Sequence, residues 1–90
     1  YANTLIGHHS GYNVTTGDNN STLGKNAGEG ITTGGNNLLL GYYAGQSTSP
    51  AGSVTTASNI LCLGDDNIAT FYCAQSSINT SDSRDKRRME

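Results

Sequence analysis

The chain has 90 residues and a formal net charge of −2, and Leu, Ile, Val and Phe together occupy only 15 positions. No stretch approaches the ~20 apolar residues of a membrane-spanning helix. No basic patch precedes residue 84, which argues against nucleic-acid binding. With so few apolar side chains, we expect part of the burial to come from other copies of the chain.

A five-residue phrase recurs through the first half of the sequence, at residues 3–7 (NTLIG), 20–24 (NSTLG) and 37–41 (NLLLG). The final glycines of these copies are 17 residues apart, and a fourth copy ends six residues late, at Gly64. Gly, Asn, Ser and Thr make up 43 of the 90 residues, and their regular spacing indicates repeated turns. The period predicts an all-β repeat solenoid, a parallel β-roll or β-helix of about 17 residues per rung.

Each phrase is predicted to be a short strand with apolar residues on both faces. One face carries aliphatic residues at Ile6, Leu23, Leu40 and Leu63, and our interpretation places Leu40 inside the coil. The other face carries Leu5, Thr22, Leu39 and Cys62. Because both faces are partly apolar, we expect one to line the interior and the other to contact neighbouring chains. In either case Cys62 is predicted to be a small, buried thiol.

A turn follows each strand, at residues 8–10, 25–27 and 42–44, and its small third residue is predicted to point inward. A second strand is predicted to begin at Val14, Ile31 and Val54, since Thr-Thr follows each of them and suits a strand. Residues 17–19 and 34–36 return the chain through a second turn. Asparagines recurring there are expected to form a ladder of amide hydrogen bonds along the stack.

The sequence divides into repeats at 1–64, with a protruding loop insertion at 46–53, a β-strand cap or neck at 65–80, and a charged tail at 81–90. Within the neck, residues 68–73 and 78–80 are predicted strands. The chain opens inside a repeat unit, so we expect it to be a fragment of a longer protein.

Candidate binding residues are Tyr42, Tyr43, Ser49 and Pro50, because exposed aromatics stack on sugar rings and the insertion distinguishes its unit. His8 and His9 could form a ring of imidazoles around a threefold axis, although surface turn residues are the plainer interpretation. Tyrosines at a boundary between chains are an equally good alternative. No zinc, calcium, paired-carboxylate or Ser-His-Asp pattern is present, and we expect no metal and no cofactor.

The repeats resemble those of phage tail fibres and related viral and bacterial surface fibres, which carry Asn-Thr-Ala-Ile-Gly and Thr-Thr-Gly-x-Asn phrases. They are similar in kind to the β-roll heads of trimeric autotransporter adhesins. Residues 78–86 (INTSDSRDK) resemble the junction that leads into the C-terminal intramolecular chaperone domain of endosialidases and tail fibres. By this resemblance, residues 81–90 are the truncated start of such a domain.

The resemblance implies a homotrimeric fibre whose chaperone is removed by self-cleavage of the Ser81–Asp82 bond. In that family the serine is the nucleophile and a lysine five residues on is the base, which correspond here to Ser81 and Lys86. The chemistry requires the complete chaperone domain to desolvate the lysine. Residues 87–90 depart from the family pattern. No other enzymatic activity is expected.

The implied function is structural and adhesive: a segment of a trimeric viral tail fibre or fibre-like surface protein that attaches to a host. Its partners would be two sister chains and a host glycan or receptor, and its location the virion or the cell exterior. A cellular trimeric adhesin with the same repeats is one alternative. The shaft of a glycan-depolymerase tailspike is another.

Overall fold

A computed structural model describes residues 2–75, which are all-β and include no helix. Four parallel strands of three residues each form one sheet in chain order. They are β1 (Thr4–Ile6), β2 (Ser21–Leu23), β3 (Leu38–Leu40) and β4 (Leu61–Leu63). The described part of the chain therefore has no helix of the length and hydropathy needed to cross a bilayer.

The strands align according to the sequence repeat. Leu5 pairs with Thr22, Thr22 with Leu39, and Leu39 with Cys62. The connection from β3 to β4 is longer but keeps this register, because the insertion begins and ends within a turn whose closing hydrogen bond is the same as in the other units. The Val54 amide donates to the Gly45 carbonyl at 2.8 Å, as the corresponding amides do in the shorter units.

Hydrogen bonds also join successive units outside the strands. The Gly28 amide donates to Ala44 O at 2.8 Å, and the Thr15 amide donates to Thr32 O at 2.9 Å. The prediction of a second strand at Val14, Ile31 and Val54 is wrong, because these segments form bends. Thr32 O accepts from Gly17 N as well as from Thr15 N, and one carbonyl serving two nearby amides requires a curved backbone.

The core is small and lies between the strands and the turns. Its buried apolar members are Ala27, Ile31, Leu39, Ala44, Val54 and Cys62. The predicted inward position of the small turn residues is confirmed, because Ser10, Ala27 and Ala44 are all buried. The predicted burial of the Cys62 thiol is confirmed as well. Polar side chains are buried as well, and among them the Ser10 hydroxyl is hydrogen-bonded to the Thr22 hydroxyl.

The prediction that Leu40 faces the interior is wrong. The middle residue of each strand points inward, and Leu39 is fully buried, whereas Leu23 is 50% exposed. Leu40 lies on the outer face and is only partly covered. Because strand side chains alternate, a shift of one residue in the inward position transfers the whole aliphatic column from Ile6 to Leu63 to the outside.

The units meet most closely at four-residue corners, which are residues 17–20, 34–37 and 57–60. The Asn20 side chain contacts two backbone groups of the next corner: Oδ1 accepts from Asn37 N at 3.1 Å, and Nδ2 donates to Gly34 O at 2.9 Å. Asn3 and Asn37 make the corresponding pairs of bonds with the corners that follow them. The expected asparagine ladder is thus mainly amide to backbone.

The prediction of a strand at residues 68–73 is also wrong. The segment has no regular secondary structure and pairs with no strand among residues 2–75, and it is exposed, with Phe71 70% and Tyr72 90% accessible. Residues 78–80, the other strand predicted in the neck, lie outside the described residues.

We expect Leu39→Ala to lower the free energy of unfolding by about 2–5 kcal/mol, because it leaves a cavity in a close-packed interior. Leu38→Ala, one residue away on the outer face, should cost clearly less, since Leu38 is already 40% exposed. Urea denaturation of the two variants gives the order at protein concentrations low enough to keep the chain monomeric, because association of chains would bury Leu38. A larger loss for Leu38→Ala would contradict the inward direction assigned here.

Candidate functional site

A groove of about 640 Å³ lies where the last strand ends. Leu40 and Leu63 of the outer sheet face form its floor, and Tyr42 and Pro50 contribute from the neighbouring turn and loop. The remaining wall comes from the neck and includes residues 65, 66, 68 and 71. The groove is concave and mostly apolar, with a few polar groups in its lining, so we take it as the candidate site.

The neck is held against the stack by a turn centred on Asp65, which is almost completely buried. Its Oδ1 accepts from Asn67 N at 3.0 Å, and the Ile68 amide donates back to Asp65 O at 3.2 Å. The Ile68 side chain then lies over Gly64, where an added Cβ would come within 2.5 Å of it. These contacts give the groove a fixed wall at residues 65–68.

The insertion forms the opposite side and is itself ordered by hydrogen bonds. The Ser49 hydroxyl accepts from Gly45 N and donates to Gly52 O, both at 3.2 Å. The loop also contacts the neck, since Asp66 N donates to Thr48 O at 2.7 Å. The loop therefore has a defined conformation, and the Ser49 side chain is used within it.

The four residues predicted to bind a ligand are close together in sequence but do not all reach the groove. Tyr42 and Pro50 line it, and Tyr42 is 53% exposed. Tyr43 is partly buried beside the Tyr42 ring, at 4.3 Å between centroids. Ser49 is buried under the loop. Their role in binding stays a prediction, and Tyr42 and Pro50 are the two with access to a ligand in the groove.

The neck supplies groove residues that the sequence analysis did not identify as binding residues. Phe71 is the single phenylalanine of the chain, and it lines the groove with Ile68 and Asp66. The available signal was the end of the repeat at Gly64, followed by large apolar residues. Because a strand was predicted at residues 68–73, these side chains were not expected to be exposed.

The groove walls combine apolar surface with one exposed acidic residue. Tyr42 and Phe71 offer aromatic rings, and Asp66 offers an exposed carboxylate at the edge. Such a surface suits a ligand with an apolar face and peripheral hydroxyls, as in a sugar ring, or an apolar side chain from another protein. Among residues 2–75, no group of three or more His, Cys, Asp or Glu side chains is arranged to hold a metal ion.

A second polar cluster links the first three units away from the groove. The Glu29 carboxylate accepts from Asn26 Nδ2 at 2.5 Å and from Gln46 Nε2 at 2.9 Å. The His9 Nδ1 lies 3.6 Å from the other oxygen, and the His9 ring stacks on His8 at 4.1 Å. This arrangement ties adjacent turns together and places His8 and His9 at the surface.

The predicted self-cleavage residues Ser81 and Lys86, and the bond between Ser81 and Asp82, lie outside the described residues. No protein-family model, curated protein or solved structure matches the chain.

Alanine variants of Ser49 and Tyr42 should distinguish a residue that stabilises the loop from a residue that binds a ligand in the groove. We expect Ser49→Ala to lower the free energy of unfolding by about 1–2 kcal/mol, because the buried Gly45 N–H loses its acceptor. Tyr42→Ala should change it by less than about 0.5 kcal/mol while reducing binding on a glycan array. Thermal unfolding and array binding of both variants test this. Equal losses of stability would remove the distinction.

Proposed function

We propose that this chain is a segment of a homotrimeric β-solenoid fibre that attaches a virus, as a tail fibre, to a host surface. The solenoid would have about 17 residues per rung. The proposal is favoured by the in-register parallel strands and by the bonds between units at turns and corners. Each unit is hydrogen-bonded to the next along most of its backbone, and such stacking of repeat units suits a stiff shaft.

One observation carries the homotrimer: the outer face of the sheet is mostly apolar and largely exposed, with hydroxyl side chains only at Thr4 and Ser21. Leu23 is 50% exposed and Leu61 63% exposed, and Ile6 and Leu63 are comparably open. Eight side chains project from this face, two from each strand, and none is charged. They are residues 4, 6, 21, 23, 38, 40, 61 and 63. Single chains rarely leave a continuous apolar face to solvent unless it binds something.

Copies of the same chain are the partner that best fits this face. Adjacent strands are about 4.8 Å apart, so the aliphatic residues form a column with a fixed spacing. A symmetry axis parallel to the column brings the same residue of every copy to the same height. Identical charged residues would repel each other in that arrangement, and the face has none.

The groove is the feature that favours attachment. It continues from the outer face at Leu40 and Leu63 and presents Tyr42 and Phe71. A host glycan would place the apolar side of a sugar ring on the aromatic rings, with hydroxyls towards Asp66. A cellular trimeric adhesin, or the shaft of a glycan-depolymerase tailspike, would use the same scaffold. The proposed location is the virion, or the cell exterior for the adhesin.

Cysteine pairing should locate the interface in the full-length protein. In a Cys73→Ser background, which removes the exposed native thiol, Leu23→Cys should form disulfides between chains on mild oxidation. Equivalent side chains at a shared axis come within the roughly 7 Å between Cα atoms that a disulfide requires. Thr33→Cys, which is exposed but lies outside the strands, is the matched control and should stay reduced.

Native mass spectrometry of the same protein gives the number of chains, which we expect to be three. A single-chain mass would exclude the homotrimer. A trimer that is cross-linked through residue 33 but not through residue 23 would exclude this face as the interface.

The self-processing implied by residues 78–86 is tested separately. In the full-length protein we expect release of a chaperone-sized fragment, and Ser81→Ala should abolish it because the nucleophile is lost. Lys86→Arg should also block release, since a guanidinium stays protonated and cannot serve as the base. Denaturing gels over time measure both. Unchanged release in Ser81→Ala would show that another residue is the nucleophile.

A further inference from the structure

The two ends of the stack differ in the groups that would contact another unit. At corners 17–20 and 34–37, each unit presents a glycine first and an asparagine last. At corner 57–60, these positions hold Ala57 and Ile60. Both changes fall on the surface that a further corner would cover, which makes this end of the stack chemically distinct.

The glycine is required because the next corner approaches very closely. A Cβ added at Gly34 would lie 2.1 Å from Ala57 O, and one at Gly17 would lie 2.2 Å from Gly34 O. Both contacts are with backbone atoms, which cannot rotate away. Ala57 has a methyl group at the equivalent point, so a further corner could not approach as the earlier ones do.

The asparagine is required because it supplies the bonds between corners. Asn37 accepts from Ile60 N at 2.9 Å and donates to Ala57 O at 3.1 Å. Ile60 has neither an acceptor nor a donor in its side chain. The backbone groups of a corner placed above it would be buried without these partners, which costs free energy for each unpaired group.

The insertion closes the same end at a third point. Gly11 N and Gly28 N each donate to a carbonyl of the next unit, at 2.9 and 2.8 Å. Gly45 N, at the corresponding place in the last complete unit, donates instead to Ser49 Oγ of the insertion. The serine hydroxyl thus occupies the position of the missing carbonyl.

We propose that the stack accepts a further repeat unit only at the sheet edge formed by β1. At the other end of the stack, corner 57–60 and the insertion 46–53 form a cap that excludes a further unit. The fitting partner is a unit that ends in a Gly-x-Asn-Asn corner, like corner 34–37. A second copy cannot supply it from its capped end, so the partner is a preceding unit of the same chain. The inference rests on the solenoid part of the proposed function and is independent of trimer formation and attachment.

Insertion of an extra unit into the full-length protein tests this. One variant receives a copy of residues 21–37 between Asn3 and Thr4, and the other a copy of residues 25–41 between Gly64 and Asp65. Each insert has 17 residues and carries one strand and one corner. Amide hydrogen exchange of the inserted strand reports whether it stacks, and we expect exchange about 100-fold slower at the N-terminal site than at the C-terminal site.

A third variant removes the proposed cap before the C-terminal insertion. It combines Ala57→Gly, Ile60→Asn and deletion of residues 47–52, which restores the 17-residue spacing. We expect protection of the inserted strand to rise by about 100-fold relative to the capped protein. Equal protection at the C-terminal site with and without the cap would overturn the inference, and so would an unprotected insert at the N-terminal site. Loss of trimer mass without these changes would count only against the proposed function.

Discussion

The corner asparagine is the interaction on which the stack depends. A sheet of three-residue strands has few ladder bonds, so the backbone between strands must also be satisfied. Asn20 does this for the next unit by bonding one carbonyl and one amide at the tightest bend. The same side chain is fully buried, which makes these bonds costly to lose. Gly17 of the same corner is equally necessary, because the following corner approaches it backbone to backbone.

This polar construction explains how so few apolar residues suffice. The interior is narrow and holds small side chains such as Ala27 and Ala44, and its larger apolar members are Ile31, Leu39 and Val54. Thr22 is admitted to it because Ser10 provides a partner for its hydroxyl. Leu5 also points inward, and the other five leucines, at positions 23, 38, 40, 61 and 63, lie on the outer face. The small core and the apolar outer face thus have the same cause, which is that successive side chains of each strand point alternately inward and outward.

The repeat period was sufficient to predict the parallel strands, the turns and the inward small residues, because each follows from local spacing and turn chemistry. The direction of the strand side chains was not predictable in the same way. In β3 all three residues are leucine, so the pattern is the same for either face. The inward direction is shown by the hydrogen bond between the Ser10 and Thr22 hydroxyls, and this contact exists only once the chain has folded. The groove was likewise hidden, since Phe71 reaches it through a neck that pairs with no strand.

Each corner asparagine is encoded in one unit but serves the next, and this has a consequence for how such a gene changes. A duplication of 17 codons anywhere before β3 supplies both an asparagine that bonds to the following corner and a glycine that leaves room for it. The stack can then lengthen in whole units, while Ala57 and Ile60, which each occur once at their corner position, stay with the final turn. A duplication of another length keeps each amide beside its bend only where the extra residues fall in a loop, as those of the insertion 46–53 do.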